Sequence, residues 1–135
     1  MYDEKSFPAK TALLEQVQDF VRSHLPEDCP IGPLMQLDLV VEEIFVNIAG
    51  YAYAPGEGTV TIRVERSDSP AAVTVSFLDR GVAFNPLAKE QPDVSALAED
   101  RQIGGLGIYL TRRLTDEVRY ERRDGQNILT IRKKL

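Results

Sequence analysis

Two runs of strict alternation constrain this chain more than any other feature. In "TVTIRVER" (59–66), Val60, Ile62 and Val64 alternate with polar residues, and in "AAVTVSFLD" (71–79) Val73, Val75 and Phe77 do the same. Side chains on a strand point to opposite faces in turn, so this pattern predicts strands with one face on a core and one in water. The "RSDSP" between them is short enough to fold the pair into a hairpin. A second pair closes the chain: "EVRYERRD" and "QNILTIRKK" flank Asp124–Gly125, a dipeptide suited to a tight hairpin turn.

An apolar sheet face needs a cover, and three helical stretches can supply it. Residues 9–24 place Leu13, Leu14, Val17, Phe20 and Val21 at helical spacing, and "LPEDCPIGP" ends that helix. A longer helix is expected from about Pro33 to Tyr53, stopping at "APGEG", with a core stripe of Leu37, Val41, Ile44 and Ile48. Residues 80–103 read as loop, with room for one short helix near "VSALAED", and a third helix covers about 105–116. An additional amino-terminal strand fits around "KSF". Strand pairs interrupted by helices predict an α+β two-layer sandwich, with helices packed on one face of a mixed, mostly antiparallel sheet.

Bulk properties narrow the function. A chain of 135 residues suits one domain, 1–135, with no internal repeat or low-complexity tail. The net charge of −5 disfavours a nucleic-acid or membrane-surface binder, which needs clustered positive charge. No apolar run approaches the roughly 18 residues that span a bilayer. The amino terminus "MYDEKSFPAK" has no signal-peptide core, so a cytoplasmic location is the default. The single cysteine, Cys29, excludes an internal disulfide, and its closeness to His24 at a helix end gives little support to a Cys–His nucleophile.

Three features do not follow from packing alone. At about 100° per residue, Glu43 leaves the water-facing side of its helix, where Asp38 and Glu42 are expected. It projects instead with Leu39, Val46 and Asn47, on the flank of the apolar stripe. A carboxylate and an amide one turn apart on a half-buried face suit a metal ion or a proton transfer. They also suit a boundary glutamate that reaches water beside a structural asparagine. Asp79 ends its strand two positions before Gly81. It can accept a hydrogen bond from a ligand ring, or simply close the strand with an Asx-type turn. Finally, "GGLG" (104–107) stands at a helix entrance, although glycine costs a helix about 1 kcal/mol relative to alanine. Bare backbone N–H groups at a helix start favour a phosphate; a flexible loop that needs positive φ is the alternative.

Taken in order, "EEIFVN" (Glu43, Asn47), "DRG" (Asp79, Gly81) and "GGLG" (Gly104, Gly105, Leu106, Gly107) resemble the three boxes of the ATP-binding fold shared by gyrase, histidine kinases and mismatch-repair MutL proteins, the GHKL group. The resemblance covers about residues 10–135 and implies a histidine-kinase-like ATPase fold binding ATP and Mg2+. By position, Asn47 resembles the magnesium ligand that also touches the phosphates, and Glu43 the general base. Asp79 resembles the acceptor for the adenine amino group, and Gly81 the residue that leaves room for the ring. The glycine box resembles the end of an ATP lid. Thr130 in "ILTIRK" resembles the strand threonine that supports the adenine site.

Among the branches of the group, gyrase-like and MutL-like members need a second domain. A histidine kinase needs a phosphoacceptor histidine on a dimerising helix, and His24 lacks that setting. The stretches "EEIFVNIAGYAY", "DRGVAFNP" and "GGLGIYLTRRLTDEV" are similar to the stand-alone anti-sigma-factor serine/threonine kinases. The branch implies two partners, a sigma factor and a small anti-sigma-antagonist protein carrying a target serine, and its members commonly form homodimers. Two departures stand out. Ala49, Gly50 and Tyr51 occupy positions where members often carry a histidine or arginine, and Ala83 replaces a common glycine or serine. A nucleotide-sensing module that sequesters a partner without chemistry is the competing expectation.

Overall fold

The computed structural model describes residues 2–53, 56–88 and 106–135. Its strands are β1 (Tyr2–Pro8), β2 (Thr59–Asp68), β3 (Ala71–Asp79), β4 (Glu117–Arg123) and β5 (Gln126–Lys134). Its α-helices are α1 (Leu14–Arg22), α2 (Ile31–Tyr51) and α3 (Leu106–Leu114), with short 3-10 turns at Thr11–Leu13 and Pro86–Ala88. The strands form one sheet in the order β1-β2-β3-β5-β4, and every pairing among the described residues is antiparallel. The architecture is the expected α+β sandwich, and the strand around "KSF" is real. The short helix expected near "VSALAED" lies outside the described residues.

The alternation read from the sequence sorts the two faces. Val60, Ile62 and Val64 of β2, Val73, Val75 and Phe77 of β3, and Leu129 and Ile131 of β5 are buried beneath the helices. The other face carries polar pairs, including Ser6 with Thr61 at 2.8 Å, Arg63 with Glu4 at 3.0 Å, and Ser76 with Thr130 at 3.0 Å. Asp124 and Gly125 take φ of 52° and 77°, so the β4–β5 turn is the positive-φ hairpin that Asp-Gly allows.

Helix α2 begins two residues earlier than Pro33, because a proline in the first turn lacks only an N–H that has no intrahelical acceptor anyway. It buries Leu37, Val40, Val41, Ile44 and Phe45, a wider arc than the expected stripe, since α1 and α3 pack on its flanks while the sheet lies beneath. Asp38 is not simply solvated: Arg22 Nε on α1 donates to both its oxygens, at 2.9 and 3.1 Å. Lys133 of β5 donates to the Leu114 carbonyl at 2.6 Å, placing a cation at the carboxyl end of α3, and to Gln36 of α2 at 2.6 Å. No Cys–His pair forms: His24 contacts the Phe20 carbonyl and the Asp3 carboxylate, and the Cys29 thiol faces the Pro30 carbonyl. Among the described residues, no helix is long and apolar enough to cross a membrane.

Candidate nucleotide site

Helix α2 presents the first part of the site. Glu42 is exposed, as expected, while Glu43 and Asn47 are half-buried on the flank of the helix. The Asn47 Oδ1 atom is buried, and among the described residues nothing donates a hydrogen bond to it. A buried polar oxygen without a partner costs free energy unless something outside the chain satisfies it. An oxygen of this kind, one helical turn from a carboxylate, fits a hard divalent cation. Among the described residues no three His, Cys, Asp or Glu side chains gather into a metal cluster.

The second part is built where β3 meets β5. Asp79 is only 5% exposed, and its Oδ1 accepts from the Gly81 N–H at 2.9 Å and from Asn127 Nδ2 at 3.0 Å. Among the described residues nothing donates to Oδ2. The strand-closing turn and the ligand acceptor are therefore compatible readings of one carboxylate: one oxygen closes the turn and the other is left over.

The loop after β3 is gripped from both sides. The Val82 N–H donates to the Ala52 carbonyl at 2.8 Å, just past the end of α2. The Tyr53 hydroxyl donates to the Thr59 carbonyl at 2.6 Å and accepts from the Arg80 N–H at 2.7 Å. From the β4–β5 hairpin, Arg122 donates to the Gly81 carbonyl at 2.9 Å. A Cβ on Gly81 would stand 2.1 Å from the Ala52 carbonyl oxygen. Glycine is required here by the helix end itself, a reason independent of any ring.

One expected site residue, Thr130, falls elsewhere, and two others cannot be placed. Gly104 and Gly105 lie outside the described residues; Leu106 opens α3 and Gly107 stands in its first turn. Thr130 sits opposite Ser76 on the polar outer face of the sheet, away from the helices, and the structure does not bring it to Asp79. The β5 residue opposite Asp79 is Asn127, which the sequence reading missed. A signal was present: Asn127 shares its face with Leu129 and Ile131, a polar residue in an apolar row.

Comparison with known proteins places the chain in a family. Residues 7–133 match the histidine kinase-like ATPase domain model. The chain belongs to the histidine kinase-like ATPase family. It is similar to the serine/threonine-protein kinase BtrW of Bordetella bronchiseptica, 33% identical over 98 residues that cover 70% of this chain and 66% of that protein. Its fold is similar to the crystal structure of the RsbU and RsbW domains of Rv1364c from Mycobacterium tuberculosis, with a TM-score of 0.68 and 16% identity. That match covers 100% of this chain and 32% of the other.

Proposed function

We propose that the chain is an ATP- and Mg2+-dependent serine/threonine protein kinase that acts as an anti-sigma regulatory factor in the cytoplasm. It phosphorylates a serine on a small anti-sigma-antagonist protein, sequesters a sigma factor, and works as a homodimer. The observation that carries the reading is the buried Asn47 oxygen, without a partner among the described residues, one turn from Glu43. Similarity to a serine/threonine kinase supports the choice of branch.

Each residue has one task. Asn47 Oδ1 is the protein ligand for Mg2+, which supplies charge neutralisation at the phosphates when bound. Glu43 takes the proton of the attacking serine hydroxyl. Asp79 Oδ2 accepts from the adenine amine, and the glycine box (Gly104, Gly105, Leu106 and Gly107), which leads into α3 in the sequence, is assigned to the phosphates. The role of Thr130 passes to Asn127 on geometric grounds.

The second reading, a nucleotide-sensing module that sequesters its partner without chemistry, is favoured by one observation: Ala49, Gly50 and Tyr51 bring no basic side chain to the end of α2. Incubation of the chain with Mg2+, labelled ATP and the antagonist separates the two. Label on the antagonist serine supports the kinase. Nucleotide-dependent retention of the sigma factor, with no label transferred, selects the sensor.

A further inference from the structure

We propose that Asn127 and Tyr120 set purine selectivity, by fixing which oxygen of Asp79 is left to receive a base. The inference rests on the reading that Asp79 faces adenine.

Asn127 is 6% exposed and uses its full hydrogen-bonding capacity. Its Nδ2 donates to Asp79 Oδ1 at 3.0 Å and to the Val82 carbonyl at 2.8 Å. Its Oδ1 accepts from the Tyr120 hydroxyl and, more distantly, from the Phe84 N–H at 3.4 Å. Two acceptors face the amide nitrogen and two donors face the amide oxygen, so only one orientation of the side chain satisfies the site. A flipped amide would set its oxygen against the Asp79 oxygen and its N–H2 against the Phe84 N–H. The Tyr120 hydroxyl, reaching in from β4, is a donor that this orientation requires.

The consequence falls on Asp79. With the Gly81 N–H and the Asn127 amide both on Oδ1, the carboxylate is pinned in rotation and presents Oδ2 alone. An ionised carboxylate oxygen only accepts hydrogen bonds. It therefore takes a 6-amino group and opposes the 6-oxo group of guanine, which has no hydrogen to give at that position. Without the amide, the carboxylate is held at Oδ1 by one backbone N–H, and its rotation and its aim at the base loosen together. Asn127 and Tyr120 are positioning residues: both act through Asp79.

The test is titration calorimetry on the full chain with Mg2+–ATP and Mg2+–GTP. Wild type should prefer ATP. Asn127→Ala should weaken ATP about tenfold, the loss of one hydrogen bond to a charged group, and leave GTP within about threefold. Tyr120→Phe should move the ratio the same way by about threefold. Asn127→Asp adds a readout that a folding role would not move. At about pH 8 two carboxylates oppose each other and ATP binding should be poor; near pH 5.5 a shared proton restores a donor, and affinity should recover at least about tenfold relative to wild type at that pH. An unchanged ATP-to-GTP ratio in folded Asn127→Ala and Tyr120→Phe, or no recovery of Asn127→Asp at low pH, overturns the proposal while leaving adenine recognition by Asp79 intact. Equal binding of ATP and GTP by wild type overturns both.

Discussion

Asp79 and Asn127 stand directly opposite each other across the antiparallel β3–β5 pair, and the Asn127 amide donates to Asp79 Oδ1 at 3.0 Å. The carboxylate is thereby half spent inside the protein and half open to a ligand. The end of α2 and Arg122 of the β4–β5 hairpin then hold the following loop around it.

Asp79→Asn replaces an acceptor-only group with one that also donates, both toward the open side and toward Asn127 and Gly81. A hydrogen bond to a charged group is worth about 1.5–3 kcal/mol, so ATP affinity should fall on the order of 10- to 150-fold. Calorimetry with ATP and ADP should show similar losses for both, because the change is at the base and not at the phosphates.

Glu43 and Asn47 share a helix flank but not a task. Glu43→Ala should slow transfer to the partner serine by about 10²–10⁴-fold, the usual range for a general base, while Mg2+–ATP affinity changes less than about tenfold. Asn47→Ala should damage both, since it removes the buried oxygen proposed to hold Mg2+. Glu42→Ala, an exposed neighbour, is the control and should leave both near wild type. Equal rates for wild type and Glu43→Ala would remove the base from the mechanism.

Two glycines should respond in opposite directions. Gly81→Ala forces a Cβ to 2.1 Å from the Ala52 carbonyl, backbone against backbone, so a loss of about 1–3 kcal/mol or more is expected. Gly50→Ala, in the last turn of α2, meets nothing within 4 Å. It should gain about 0.5–1 kcal/mol, because alanine loses less backbone freedom in a helix. Chemical denaturation of both variants measures the contrast.

The Asp3–His24 contact ties β1 to the end of α1, at 2.9 Å. The hydrogen bond from His24 holds the Asp3 carboxyl below the usual aspartate value. A lowered folded-state value contributes stability that is present above the ordinary carboxylate range and lost as pH falls through it. The stability difference between wild type and Asp3→Asn should therefore be present above the carboxylate range and vanish in strong acid. A difference that persists at the lowest pH would assign the effect to packing.

Much of this was legible in the chain because period-two rows and an Asp-Gly turn are local signals. So was the misplacement of Glu43 on its helix, which needs only the helical repeat. Thr130 and Asn127 show the limit. Both are polar residues on one strand, and choosing between them requires knowing which face of β5 meets Asp79, a fact set by pairing with a strand 48 residues away. Asp38 was misjudged for a similar reason: its partner Arg22 lies on another helix. At Gly81 the carbonyl that excludes a side chain comes from the end of α2, which no local pattern reveals.

Among the described residues, the sheet order β1-β2-β3-β5-β4 makes β3–β5 the one strand pairing that joins the β2–β3 hairpin to the β4–β5 hairpin. Its two strands are far apart in sequence, so this zipper forms only after a long loop has closed, a step that chain entropy makes slow. Asp79 and Asn127 are the last rung of that zipper. Neither hairpin carries both residues by itself, so a chain that has not yet zipped the two hairpins together lacks the pair on which the proposed purine site depends.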